Sequence, residues 1–186
     1  MVLRTLARDG RHYGAARLGA LAFLALGLTL WFIVGADSSP APPVKIAVFE
    51  FEFEDLSPAA SLLNKTTNRT ATMDKVSSEA RRELTESGHY SVIDASKVAA
   101  TAVTSKSLRN CDGCEAAIAR QLGADQSLIG VVRSVTQTDY YVAIQIRDAR
   151  TGKLIDQQEA NFAGGEEGWP SGVRMLIKHQ ILVSPN

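Results

Sequence analysis

Two cysteines in 186 residues are too few for a disulfide scaffold or a four-cysteine zinc module. Histidine is scarce too, with three in the chain. Beyond the N-terminal region only His89 and His179 occur, so a zinc site lacks ligands and no metal is expected. There is no GxGxxG, no P-loop, no GxSxG and no HExxH, so the usual signatures of dinucleotide binding, phosphate cradling, serine hydrolysis and zinc proteolysis are missing. On this reading the chain is not an enzyme, has no catalytic residues and takes no cofactor. Net charge is also missing: 20 Lys+Arg stand against 20 Asp+Glu, without a basic stripe, which argues against a nucleic-acid partner. What remains is an ordinary composition, 45% hydrophobic and 22% charged, which excludes disordered, collagenous and low-complexity classes.

The zero balance is a sum of two unlike parts. Residues 1–36 carry Arg4, Arg8, Arg11 and Arg17 against Asp9, a sum of 4 − 1 = +3, so the remainder sums to 0 − 3 = −3. Between Arg17 and Asp37 no residue is charged: Leu18 to Ala36 reads LGALAFLALGLTLWFIVGA. As a helix at about 1.5 Å per residue this run spans roughly 28 Å, close to the hydrocarbon core of a bilayer. It is apolar all round apart from Thr29, and the arginines before it fit the positive-inside rule. The sequence therefore predicts a basic cytoplasmic tail over residues 1–17 and a transmembrane signal-anchor over 18–36. A stiff linker follows over 37–43, with prolines at Pro40, Pro42 and Pro43, and then a periplasmic domain over 44–186. A cleaved signal peptide ending near Val34-Gly35-Ala36, which would leave a soluble periplasmic protein, is the alternative; the apolar run exceeds the usual h-region of about 7–15 residues, which favours the anchor. No cysteine follows the run, so a lipoprotein anchor is not expected there.

The body reads as one domain. Lys45 to Phe53 alternates strictly, predicting a strand with Phe49, Phe51 and Phe53 on one face and Glu50, Glu52 and Glu54 on the other. Leu56 to Asn68 is a polar loop. Met73, Val76, Ala80 and Leu84 recur at helical spacing up to Ser87-Gly88. His89 to Asp94 is a short strand, and Ser96 caps a helix towards Ser105. Cys111-Asp112-Gly113-Cys114-Glu115 opens another helix, with Asp112 and Glu115 spaced as a capping box and Ile118, Ala119 and Leu122 as its buried stripe. Three strands follow, Ser127–Val135, Tyr140–Arg147 and Leu154–Phe162, the last two joined by an Asp148–Lys153 hairpin loop. Pro170 opens a last helix with Val173, Leu176, Ile177 and Ile181 apolar. The order β-α-β-α-α-β-β-β-α indicates an α/β (α+β) domain, a mixed sheet ending in a meander with helices packed against it.

The opening KIAVFEF, the pair of a helix and HYSVID, the LGAD before a strand and the IRDARTGKL hairpin resemble a group of exported bacterial domains. These are the TolB N-terminal-like domain, the curli secretion protein CsgG and the LpoB-type activators of penicillin-binding proteins. The run from Leu108 to Asp125 with the hairpin from Asp148 to Gly152 is similar to a recurring signature of exported proteobacterial proteins assigned to a domain-of-unknown-function family. The resemblance covers nearly all of residues 45–182. It implies a periplasmic fold that hosts binding and assembly roles rather than one chemistry.

Cys111 and Cys114 form the conspicuous chemical motif. In an exported chain two cysteines three apart most simply form a disulfide, pinning the start of the Cys114 helix. A redox pair is the sharper alternative, because the helix N-terminus favours a thiolate at Cys114. Glu50, Glu52, Glu54 and Asp55 offer paired carboxylates but read more simply as a solvated strand edge. The candidate partner surface is the Leu56–Asn68 loop, including Leu56, Asn64 and Asn68, together with Tyr140 and Tyr141 at a hairpin start. The sequence thus points to a membrane-tethered, non-catalytic periplasmic domain that contacts the membrane through Leu18 to Ala36 and binds another envelope protein. A periplasmic thiol–disulfide protein is the alternative.

Overall fold

Alternating apolar residues on the strands and 3.6-periodic residues on the helices leave each element with one face to bury, and a mixed sheet with helices on it satisfies them together. The computed structural model describes residues 41–58, 69–95 and 107–183. The expected membrane segment, the Leu56–Asn68 loop beyond Pro58, and the helix expected from Ser96 to Ser105 lie outside these residues. Among the described residues no helix is long and apolar enough to cross a membrane.

The elements are β1 (Val44–Val48), β2 (Glu52–Asp55), α1 (Thr70–Glu86), β3 (Tyr90–Asp94), a 3₁₀ turn (Leu108–Asn110), α2 (Cys114–Gln121), β4 (Gln126–Ser134), β5 (Asp139–Asp148), β6 (Leu154–Ala163), a second 3₁₀ turn (Glu166–Gly168) and α3 (Trp169–Leu176). The last turn widens to a π turn over Ile177–Ile181. The sheet order is β3-β1-β4-β5-β6, with β2 also pairing β4. Strands β1, β2, β3 and β4 run parallel, and β4, β5 and β6 form an antiparallel meander. This is the mixed α+β domain that the element order implied.

One expectation about the first strand is corrected. Val48 lies opposite Leu128, and Glu52 lies opposite Val131, so four steps along the first strand match three along β4. β1 and β2 are therefore one course interrupted by a β-bulge, and an extra residue reverses which face the following side chains take. Phe49 packs with Ala47, Ile118, Ala119 and Ile129 on one side of the sheet. Phe51 joins Ile46, Val48, Leu128 and Val132 on the other, and Phe53 packs against that second cluster. The three phenylalanines do not share a face, because strict alternation holds only where pairing is uninterrupted.

Two neighbours accommodate the bulge. Phe51 N–H donates to Ser77 Oγ of α1 at 2.9 Å, and the same hydroxyl donates to Met73 O at 2.9 Å. The Phe51 ring lies over Gly130, where an added Cβ would come within 2.2 Å of it.

The larger core joins the sheet to α1 and α3, through Val76, Ala80, Leu84, Val173, Leu176, Ile177 and Ile181. These are the periodic residues of both expected helices. Glu79 binds Arg82 within α1 (2.7 Å) and Arg174 of α3 (2.5 Å), and buried Glu83 of α1 binds Lys178 of the π turn (3.3 Å). The smaller core joins α2 to the first half of the sheet. α2 packs chiefly against β4, on the side of the sheet opposite α1 and α3.

Candidate functional site

The side of the sheet opposite α1 and α3 holds a shallow groove of about 210 Å³. The bulge builds one wall of it, because it turns Glu52 and Glu54 to this side. The 3₁₀ turn brings Arg109 over them, and β4 brings Arg133. Glu52 accepts the Leu108 N–H at 2.6 Å and the Ser107 hydroxyl, and its Oε2 lies 3.5 Å from Arg109 Nε. Glu54 lies between two cations, 3.5 Å from Arg109 Nη2 and 2.8 Å from Arg133 Nε. The hydrogen bond from Arg133 holds the Glu54 carboxyl below the ordinary carboxylate range. Arg109 Nη1 is buried without a hydrogen-bond acceptor among the described residues.

The groove floor follows from cross-strand register. Arg133 faces Tyr141, with the guanidinium 5.4 Å from the ring centroid. Gln145 faces Gln157 and donates to it at 3.1 Å. Tyr141 is half-buried and adjoins Glu159, and burial first, then that carboxylate, raises its hydroxyl pKa. Glu50 does not belong to this group: its carboxylate binds Arg81 of α1 at 2.6 Å. The acidic edge read from the sequence is thus divided, with Glu52 and Glu54 together and Glu50 elsewhere, each paired with arginine.

The expected partner surface is divided as well. Leu56 is exposed, at 55% of its full surface. Asn64 and Asn68 lie outside the described residues. Tyr140, by contrast, is a core residue. Its ring stacks on Phe162 and tilts against Trp169, and its hydroxyl donates to Gly168 O at 2.9 Å. Consecutive strand residues point to opposite faces, so Tyr140 and Tyr141 cannot share one surface. Arg109, Arg133, Gln145, Gln157 and Glu159 were not singled out from the sequence. The alternation of Tyr141, Ala143 and Gln145 with buried Val142, Ile144 and Ile146 was the available signal for this face.

Beside the groove, Cys111 and Cys114 are joined as a disulfide with Cα atoms 5.5 Å apart. The expected capping box does not form. Gly113 is the N-cap residue of α2 with φ 97°, Asp112 also takes a positive φ of 52°, and no side chain caps the helix. Glu115 instead turns inward, is 1% exposed, and pairs with Arg147 of β5 at 3.0 Å. The Arg147 Nε–H does not point along this contact, so the interaction is an ion pair rather than an aligned hydrogen bond. Glu115 Oε2 lies 3.6 Å from Cys111 Sγ, and Leu108 O lies 2.9 Å from the same sulfur.

The fold recurs in solved structures at low identity. The PelC dodecamer from Paraburkholderia phytofirmans is similar at 17% identity and a TM-score of 0.51, covering 78% of this chain and 91% of that one. Lipoprotein GNA1162 from Neisseria meningitidis is similar at 19% identity and a TM-score of 0.49, covering 77% and 100% respectively. The LpoB C-terminal domain from Salmonella enterica is similar at 16% identity and a TM-score of 0.45, covering 69% and 88%. At these identities the likeness concerns the fold alone. No curated protein sequence matches the chain. Residues 44–181, from the first strand to the π turn after α3, match the family described as DUF3280, Protein of unknown function (DUF2380), and the chain belongs to that family.

Proposed function

We propose that this protein is a non-catalytic, membrane-tethered periplasmic domain that binds another cell-envelope protein and assists its assembly or activity. The observation that carries this reading is the groove on the side of the sheet opposite α1 and α3. Among its charged groups, Glu52, Glu54, Arg109 and Arg133 pair with one another, an arrangement suited to polar recognition. Tyr141 stands beside Arg133 at its edge, and tyrosine and arginine are the residue types that most often dominate binding energy at interfaces. The apolar, uncharged run from Leu18 to Ala36 and the arginines before it support the tether and the direction of insertion. The fold shared with a protein that assembles as a dodecamer is compatible with an assembly role.

The test is site-specific photocrosslinking in intact envelopes. A photoreactive residue at Tyr141 or Leu56 is expected to give a discrete adduct, which Arg133→Glu abolishes. The same probe at Lys75, exposed on α1, is expected to give none. Equal labelling from all three positions would overturn the reading.

A further inference from the structure

The sulfur of Cys111 sits in surroundings suited to a thiol. Leu108 O at 2.9 Å and Glu115 Oε2 at 3.6 Å are both acceptors, and a disulfide sulfur has no proton to give them. Reduced Cys111 would supply that proton. Glu115 is held in place by Arg147, on a strand of the central sheet, so its carboxylate is a fixed neighbour of the sulfur. Cys114 has a different environment. It is the first residue of α2, where unpaired backbone N–H groups stabilise a thiolate. Both cysteines are half-buried, so the bond remains within reach of an external thiol.

We propose that Cys111–Cys114 is a thiol–disulfide exchange site that accepts electrons from thiols, with Glu115 as the positioning residue that favours the reduced state. An external thiolate attacks Cys111 Sγ, forming a mixed disulfide. The Cys111–Cys114 bond breaks, and its electron pair leaves on Cys114 as a thiolate at the helix N-terminus. A second external thiolate attacks the external sulfur of the mixed disulfide. The electron pair then passes to Cys111, which takes a proton and donates it in hydrogen bonds to Leu108 O and Glu115. Two external thiols are oxidised to one disulfide by two electrons, and the protein disulfide is reduced to a thiol and a thiolate. A reduced form stabilised in this way makes the disulfide an oxidant rather than an inert staple.

The experiment equilibrates the full-length protein with reduced and oxidised glutathione at neutral pH and counts free thiols by alkylation and mass shift. The folded wild type is expected to be reduced within the millimolar glutathione range. Glu115→Gln is expected to shift the equilibrium about 3- to 10-fold toward the disulfide, because a neutral amide oxygen is a weaker acceptor than a carboxylate. Asp112→Asn, between the two cysteines but outside the contacts of the Cys111 sulfur, is expected to shift it less than about 2-fold. In reduced wild type, Cys114 is expected to alkylate at least about 10-fold faster than Cys111, because the thiolate is the reactive form. That readout needs no substitution and holds even if Glu115→Gln fails to fold. A disulfide reduced only after unfolding, an unchanged equilibrium in folded Glu115→Gln, or faster alkylation at Cys111 would each overturn the proposal.

Discussion

Ser77 Oγ accepts the backbone N–H of Phe51 at 2.9 Å and returns its own proton to Met73 O. A helix side chain thereby takes the place of the sheet partner that Phe51 loses at the bulge. Both ends of the contact are buried, so removing the hydroxyl leaves an unsatisfied amide in the core. Ser77→Ala is expected to destabilise the domain by about 1–3 kcal/mol. Urea denaturation with an unchanged m-value would confirm it, and a loss below about 0.5 kcal/mol would show that the bulge amide has another acceptor.

Gly130 is the second support of the bulge. A methyl group there would lie inside the Phe51 ring, and both backbone and ring are fixed by the sheet and α1. Gly130→Ala is expected to cost about 1–3 kcal/mol or more, and Gly130→Ala with Phe51→Ala less than the sum of the two single changes. Thermal unfolding of the four proteins gives the coupling; strict additivity would contradict the contact.

Glu115 and Arg147 make a buried charge and its partner, 32 residues apart in sequence (147 − 115). Arg147→Met leaves the carboxylate uncompensated and is expected to cost about 3 kcal/mol. Adding Glu115→Gln should restore part of that loss. Denaturant melts of the single and double variants, run with the disulfide intact, report the difference. A double variant no more stable than Arg147→Met alone would show that the charge is compensated elsewhere.

The carboxyls of Glu79 and Glu54 are held below their ordinary value of 4.5, chiefly by hydrogen bonds from Arg82 and Arg133. A depressed folded pKa contributes stability that is fully present above the unfolded pKa and is lost as pH falls through the folded one. The stability gap between wild type and Glu79→Gln is therefore expected to be constant from pH 7 to about pH 5.5 and to shrink below about pH 4.5. Equal gaps at pH 7 and pH 3 would sink this assignment.

Much of the fold was legible locally. The spacing of Met73, Val76, Ala80 and Leu84, and that of Val173, Leu176, Ile177 and Ile181, marks residues that are buried against the sheet. Alternation over Val142, Ile144 and Ile146 marks the buried face of β5. The groove was only half legible. Glu52 and Glu54 stood out as an acidic edge, but nothing near them in the chain announces Arg109 and Arg133, which reach them from 57 and 79 residues away (109 − 52 and 133 − 54).

The sequence by itself determined the periodic elements, their order, the apolar run before the domain and the cysteine spacing, because each is a pattern of neighbouring residues governed by backbone geometry. Tertiary structure decided the bulge, the separate faces of Phe49 and Phe51, the inward turn of Glu115 and the burial of Tyr140. Each of these depends on a partner distant in the chain: the register of β4, the hydroxyl of Ser77, the guanidinium of Arg147 and the face of α3 at Gly172. Local periodicity carries no information about where such a partner will stand, since strand register and helix packing are settled by contacts made only when the sheet assembles.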